Sequence, residues 1–128
     1  MTTSTSPTIP RLIPIYTTRG DAGAYLGYPY IFSRLGEWIG WVSPDRKVYS
    51  VHGEYVGYLT NDPRVLRKQE ASYDEQPHTP PPAPGNVRIP PTVPLAPMMS
   101  ELKMGMIDVL EEEPELLSPI DFGLKDLD

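Results

Sequence analysis

The sequence predicts an all-β domain, built as a small pseudo-fourfold arrangement of β-hairpin repeats and followed by a disordered Pro-rich and acidic tail. Three observations support this prediction: a motif that occurs three times, a concentration of aromatic residues, and a change of composition after about residue 72. Eleven of the twelve aromatic residues lie between Tyr16 and Tyr73, whereas nine of the 17 prolines lie between Pro77 and Pro97. We therefore expect a packed core only between about residues 12 and 72, and a core of that size is marginal on its own.

The repeated motif is a turn glycine followed by an acidic residue and an apolar run, spaced by 16 and then 17 residues. It reads GDAGAYL at 20–26, GEWIGWV at 36–42 and GEYVGYL at 53–59. A glycine that can adopt a positive φ between two β-branched and aromatic runs is typical of a β-hairpin. The positions that define the repeat are Gly20, Gly36 and Gly53 in the turns, Ala24, Gly40 and Gly57 in the second strands, and the aromatic residues Trp38, Tyr55, Tyr25, Trp41 and Tyr58.

In chain order, the three copies and their flanks predict seven short strands, at about 14–18, 22–26, 30–34, 38–42, 47–51, 55–59 and 64–68. Turn residues around Pro29, Pro44 and Pro63 separate the hairpins. The seventh strand opens a fourth unit, and we expect the N-terminal and C-terminal strands to complete this last petal. Because a single hairpin cannot bury both of its faces, we expect the units to pack around a common centre.

Glycine inside the second strand of the repeat needs a specific reason. Alternation along 38–42 predicts that Trp38 and Trp41 point to opposite faces, and neither face is polar. Glycine is disfavoured within strands, so Gly40 indicates a close approach of another backbone or ring. We expect a notch that receives an aromatic ring of a neighbouring unit, with three candidates: Tyr16, Phe32 and Tyr49.

The spacing, the Gly-acidic-aromatic-aliphatic-Gly/Ala-aromatic-aliphatic unit and the strand count resemble the bacterial 4-fold β-flower domain over about residues 13–70. The resemblance implies a flower-like or propeller-like fold. It implies no activity and no catalytic or binding residues, because the family is defined by its fold. The first copy departs from the pattern, since Ala22 stands where the later copies have Trp38 and Tyr55. A site that needs identical petals is therefore not implied.

Few residues suggest catalysis or metal binding. The chain has no cysteine, and neither His52 nor His78 has the spacing of a catalytic triad. The acidic residues after the turn glycines, Asp21, Glu37 and Glu54, could form a ring of carboxylates around a hard cation. Hydrated acids at hairpin tips explain them more simply. We therefore predict a non-enzymatic protein without a cofactor.

The aromatic β face leaves a second hypothesis open. Exposed tyrosine and tryptophan beside arginine could stack on nucleic-acid bases or on a glycan, or could hold a Pro-rich peptide. Residues 1–99 carry nine Lys/Arg against eight Asp/Glu, which is too even for a basic patch, so nucleic acid is not the expected partner. An enzyme of unrecognised type is the third hypothesis.

Residues 72–97 form a Pro-rich linker, which we expect to act as a semi-rigid spacer that holds the tail away from the domain. In the tail, Ser100 is suited to cap a helix whose apolar stripe is weakened by Gly105 and ended by Pro114. Residues 100–128 carry two basic and nine acidic residues. Such alternation of acidic and apolar residues is typical of a segment that folds on binding.

The residues of the tail that we expect to dock on a protein partner are Leu102, Met106, Val109, Leu110, Leu116, Leu117, Ile120 and Phe122. Two alternatives remain for this acidic amphipathic segment. It could be an inert terminus, or its apolar stripe could dock back on the protein's own apolar face.

These predictions divide the chain into a disordered N-terminus at 1–12, a β-hairpin repeat domain at 13–71, a Pro-rich linker at 72–97 and an acidic tail at 98–128. They describe an interaction or adaptor protein whose repeat domain is a scaffold that could form a homo-oligomer. No segment approaches the roughly 18 apolar residues that cross a bilayer, and with cysteine absent we expect a cytoplasmic protein.

Overall fold

The computed structural model describes residues 11–69 and 76–119, and these residues form a curled antiparallel sheet of eight strands. Each strand pairs with its neighbours in sequence, in the order β1 to β8. The all-β prediction is confirmed. The strands are β1 (Ile13–Tyr16), β2 (Ala22–Gly27), β3 (Tyr30–Phe32), β4 (Trp38–Val42), β5 (Lys47–Ser50), β6 (Tyr55–Leu59), β7 (Val65–Lys68) and β8 (Met106–Asp108), followed by the short helix α1 (Val109–Glu112) and a 3₁₀ turn at Pro114–Leu116.

The three sequence repeats are the first three hairpins, and their turn glycines have the positive φ that the motif predicts. The φ values are +97° at Gly20, +83° at Gly36 and +88° at Gly53. A fourth glycine, Gly105, has φ +86° and immediately precedes β8. The sequence interpretation of Gly105 as a weak point within a helix is therefore wrong, because it is the turn glycine of a fourth hairpin.

The fourth hairpin consists of β7 and β8, which pair antiparallel with Arg67 opposite Ile107. Residues 69–105 connect the two strands in place of the short turns of the other hairpins. The expected completion of the last petal by the N-terminal strand is wrong, since β1 pairs with β2. The predicted set of seven strands missed β8, which lies in the segment assigned to the tail.

The centre of the molecule is built from one residue of each hairpin's first strand. Ile15, Ile31, Val48 and Val65 occupy equivalent positions, and none of them has exposed surface. They belong to an aliphatic cluster that also contains residues of the later strands and of the C-terminal segment. Its further members are Ala24, Ile39, Val42, Val56, Leu59, Val109 and Leu117.

A β-bulge at the same place in the first three hairpins changes which residues share a face. In the second hairpin Phe32 pairs with Trp38 and Ile31 pairs with Gly40, so Ile39 is the extra residue. Such a bulge leaves two successive residues on one side and interrupts the alternation. The prediction that Trp38 and Trp41 lie on opposite faces is therefore wrong. They lie in one aromatic cluster, with Phe32, Tyr49 and Val51.

Gly40 lies where the backbone of the next strand comes close. A Cβ on Gly40 would be 2.6 Å from the backbone oxygen of Tyr49 and 2.7 Å from Cδ2 of Leu117. At Gly57 the corresponding oxygen is that of Leu66, also at 2.6 Å. The expected close approach is present, but its partner is a carbonyl group and not the aromatic ring that we had expected.

Polar groups connect the first hairpin to the fourth. The backbone N–H of Tyr16 donates to the Pro63 oxygen at 2.8 Å. The buried carboxylate of Asp108 accepts from the backbone N–H of Thr18 at 2.7 Å and from its hydroxyl at 2.6 Å. That hydroxyl accepts in turn from Nη1 of the buried Arg64 at 3.2 Å. The two ends of the sheet are thus joined by hydrogen bonds.

Arg64 also forms an ion pair with Asp62, between Nη2 and Oδ2 at 2.7 Å. Burial by itself would raise the pKa of the Asp62 carboxyl. Hydrogen bonds from Arg64 and Thr60, together with the charge of Arg64, outweigh burial and hold this pKa below its ordinary value. The carboxylate therefore remains charged opposite Arg64 over a wider range of acid pH.

In the described part of the chain, no helix has the length and apolar character needed to span a lipid bilayer.

Gly40→Ala should lower the free energy of unfolding by about 3 kcal/mol, because the new Cβ would overlap the Tyr49 carbonyl, which is part of the backbone. Gly85→Ala is the control, since a Cβ there meets nothing within 4 Å, and we expect a change within about 0.5 kcal/mol. Urea denaturation of both variants measures the difference. Equal stability of the two variants would contradict the close approach.

Thr18→Val keeps the shape of the side chain but removes the hydroxyl that joins Asp108 to Arg64. We expect a loss of about 2 kcal/mol in the free energy of unfolding, since both partners are buried and charged. Thr79→Val, at an exposed position, should leave stability within about 0.5 kcal/mol of wild type. A Thr18→Val protein as stable as the control would show that this network does not hold the ends of the sheet together.

Candidate docking surface

The Pro-rich segment is not a spacer that holds the tail away from the domain. Residues 76–98, which we call the strap, lie across the tips of the hairpins. The His78 N–H donates to the Gly53 oxygen at 2.8 Å, and the Val87 N–H donates to the Gly36 oxygen at 2.9 Å. A Cβ on Gly20 would be 3.8 Å from Cβ of Ala96. The prediction that this segment is a spacer is therefore wrong, because it contacts the third, second and first hairpins in turn.

The contacts of the strap follow a regular spacing in the sequence. His78, Val87 and Ala96 are nine residues apart, and nine residues after Ala96 comes Gly105, the turn glycine of the fourth hairpin. An extended Pro-rich chain rises about 3.1 Å per residue, so nine residues span about 28 Å. The same number of residues therefore connects each contact to the next.

Side chains of the hairpins add contacts between these positions. The hydroxyl of Tyr30 donates to the Pro82 oxygen at 2.6 Å, and that of Tyr16 donates to the Pro94 oxygen at 2.9 Å. The ring of His78 lies 4.5 Å, centroid to centroid, from the ring of Tyr49. Two proline carbonyl groups of the strap thus accept hydrogen bonds from hydroxyl groups of the domain.

Two of the turns require glycine for two separate reasons. Beyond the positive φ, a Cβ on Gly36 would lie 1.9 Å from the Val87 oxygen, and one on Gly53 would lie 1.8 Å from the His78 oxygen. Gly105 has a similar φ, but a Cβ there meets nothing within 4 Å. The glycines of the second and third turns therefore form the floor on which the strap lies.

A groove of about 920 Å³ separates part of the strap from the start of β1. Its walls are residues 11–14 and residues 87–94, and we call it the strap groove. Leu12 and Val87, which line the groove, also pack against the aromatic cluster, while Ile13 is 48% exposed. Among the described residues that line it, Arg11 and Arg88 are charged and none is acidic.

The repeat residues predicted from sequence are structural. Tyr25, Trp38 and Trp41 are buried, Tyr55 is partly buried, and Tyr58 is 37% exposed. Trp41 stacks on Tyr49 with 4.5 Å between ring centroids. Most of the rings that could have stacked on bases or sugars are thus engaged inside the protein.

The structure places the predicted docking residues of the tail in different elements. The helix expected after Ser100 is wrong: Met106 begins β8, and α1 starts only at Val109, with the Asp108 side chain accepting from the Leu110 N–H at its N-cap. A strand and a helix are hard to distinguish over so few residues, because each period is sampled only once.

The apolar residues after β8 pack on the protein's own core, which is the alternative in which this segment docks back on the protein's own apolar face. Val109 and Leu117 are buried in the aliphatic cluster, and Leu110 and Leu116 pack against it. Leu102 and Met106 are partly buried. Ile120 and Phe122 lie outside the described residues.

The acidic residues at the turns do not form a cation site. In residues 11–69 and 76–119, no three acidic or histidine side chains are grouped so that they could hold a metal ion. The backbone N–H groups of Glu37 and Glu54 donate to the hydroxyls of Ser33 and Ser50, which close the turns. His52 is exposed at the third turn.

Replacing the turn glycines with asparagine should separate the two reasons for glycine. Asparagine tolerates a positive φ better than other residues, so Gly105→Asn measures mainly the backbone cost, about 1 kcal/mol. Gly36→Asn adds the overlap with the Val87 oxygen, and we expect it to cost about 2 kcal/mol more. It should also speed amide hydrogen exchange at Val87. Equal costs for the two variants would mean that the strap does not lie on this turn.

The model of the 4-fold β-flower protein family matches residues 13–106 of the chain, from the first residue of β1 to the first residue of β8. The match covers the three repeats, β7 and the strap. No curated protein and no solved structure matches the chain. Because the matched region is well over half of the chain and contains the hairpins described above, the chain belongs to the 4-fold β-flower protein family.

Proposed function

We propose that the protein is a non-enzymatic interaction protein whose β domain is a scaffold and whose strap groove binds acidic, apolar peptide segments of a partner. The observation that carries this proposal is the lining of the groove, which is apolar apart from Arg11, Arg88 and Thr92. An apolar groove of this size with a few polar groups is the usual form of a ligand site. The two arginines favour a partner that brings carboxylates.

A second groove lies between the first two hairpin tips and α1, and it does not favour an acidic partner. Two arginines line it together with four acidic residues: Arg19 and Arg34, and Asp21, Glu37, Glu111 and Glu112. Its balance of charge is therefore opposite to that of the strap groove, and an acidic peptide should discriminate between the two grooves.

The C-terminal segment supplies candidate residues for a peptide that binds in the strap groove. Since Val109 and Leu117 are committed to the core, the docking residues that remain as candidates are Ile120 and Phe122. Their neighbours include Asp121 and Asp126. This sequence has the acidic and apolar character that the strap groove favours, so it is a suitable first probe.

A labelled synthetic peptide with the sequence of residues 118–128, added to the full-length protein, should bind saturably in fluorescence anisotropy. Arg88→Glu should weaken binding at least tenfold, which corresponds to about 1.4 kcal/mol, and added salt should weaken it further. Arg34→Glu is the matched control, because this exposed arginine lies in the other groove. The affinity of this variant for the peptide should match that of the wild-type protein.

The proposal fails if the peptide does not bind, or if Arg34→Glu weakens binding as much as Arg88→Glu. If residues 120–128 of the same molecule fill the groove, a chain that ends at residue 119 should bind the peptide more tightly than the full chain.

A further inference from the structure

We propose that the hairpin tips form a binding surface for extended Pro-rich segments, and that a Pro-rich segment of another protein with the same nine-residue spacing competes with the strap for it. This goes beyond the strap groove, which binds its peptide with the strap in place.

The groups that hold the strap belong to the hairpins and recognise backbone atoms. The Gly36 and Gly53 carbonyls accept from strap N–H groups, and the Tyr30 and Tyr16 hydroxyls donate to proline carbonyls. These contacts require an extended chain that exposes its carbonyl groups and carries an N–H group at fixed intervals. Polyproline-type segments meet that demand at a low cost in conformational entropy, as they do in other aromatic-lined grooves.

The strap is less deeply buried than the C-terminal segment that follows it. None of residues 76–98 is buried, and the strap contributes one partly buried residue, Val87, to the aromatic cluster. By contrast, Val109 and Leu117 of the following segment are buried in the aliphatic cluster. The strap is thus held at the surface of the domain by hydrogen bonds, by the ring of His78 on Tyr49 and by Val87. A second chain of the same chemistry can replace these contacts.

The spacing provides the specificity. An N–H at His78 meets the third hairpin tip and the N–H at Val87 meets the second, nine residues later. Proline cannot donate at either position, so a competing segment needs other residues there. A segment with the same composition but a different spacing can satisfy only one of the two carbonyls at a time.

The test uses the full-length protein with Val87→Pro, which removes one strap N–H and leaves the hairpin surface unchanged. A labelled peptide with the sequence of residues 76–98 should bind this variant at least tenfold more tightly than it binds the wild-type chain, because the competing strap is weakened. Amide signals of residues 33–37 and 50–54 should shift in NMR spectra. His78→Pro is a second variant that should behave in the same way.

The control peptide has the same residues, with Gly85 moved to follow Val87, so that His78 and Val87 are eight residues apart. It should bind at least tenfold more weakly. Equal binding of the two peptides, or equal binding of the first peptide to wild type and to the variants, would overturn the proposal. If neither variant folds, millimolar peptide added to the wild-type chain should still shift the same signals, and unchanged signals would overturn the proposal as well.

Discussion

The fold depends on the shared burial of one aliphatic residue from the first strand of each hairpin. Ile15, Ile31, Val48 and Val65 have no exposed surface, and no single hairpin could bury its own member of this set. Because the four residues must meet at one centre, the hairpins are arranged around it and the sheet curls. The curl brings the first hairpin beside the fourth, where the hydroxyl of Thr18 connects Asp108 and Arg64. The approximate fourfold symmetry is thus a consequence of packing.

The fourth hairpin shows what this constraint leaves free. Burial fixes where β7 and β8 lie, but it does not limit the length of the chain between them. Residues 69–105 occupy this connection, and the strap within them returns over the other hairpin tips. Gly36 and Gly53 serve both layers, since the turn needs their positive φ and the strap needs the space that a Cβ would fill. One residue type at one position therefore supports two levels of the structure.

How well the sequence predicted each part of the structure depended on how many residues carried the pattern. The repeat of apolar and turn residues over three hairpins was strong enough to predict the strands, the turn glycines and the family. The three-residue strand β8 was too short to be distinguished from a helix, and the bulge at Ile39 needs a register that no single strand reveals. The strap was missed because Pro-rich composition indicates extension without indicating a surface. The nine-residue spacing from His78 to Gly105 connects four different residue types, so it is visible only from the contacts that these residues make.

The two proposed binding surfaces share the strap, so we expect binding at one to affect binding at the other. Residues 87–94 form one wall of the strap groove, and Val87 is also one of the two positions at which the strap N–H groups bind the hairpin tips. A Pro-rich ligand that displaces the strap from the second hairpin removes that wall, so an acidic peptide in the groove and a Pro-rich segment on the tips oppose each other. Linkage makes this antagonism reciprocal: each ligand lowers the affinity for the other by the same factor. A chain with both proposed surfaces would thereby exchange one class of partner for another.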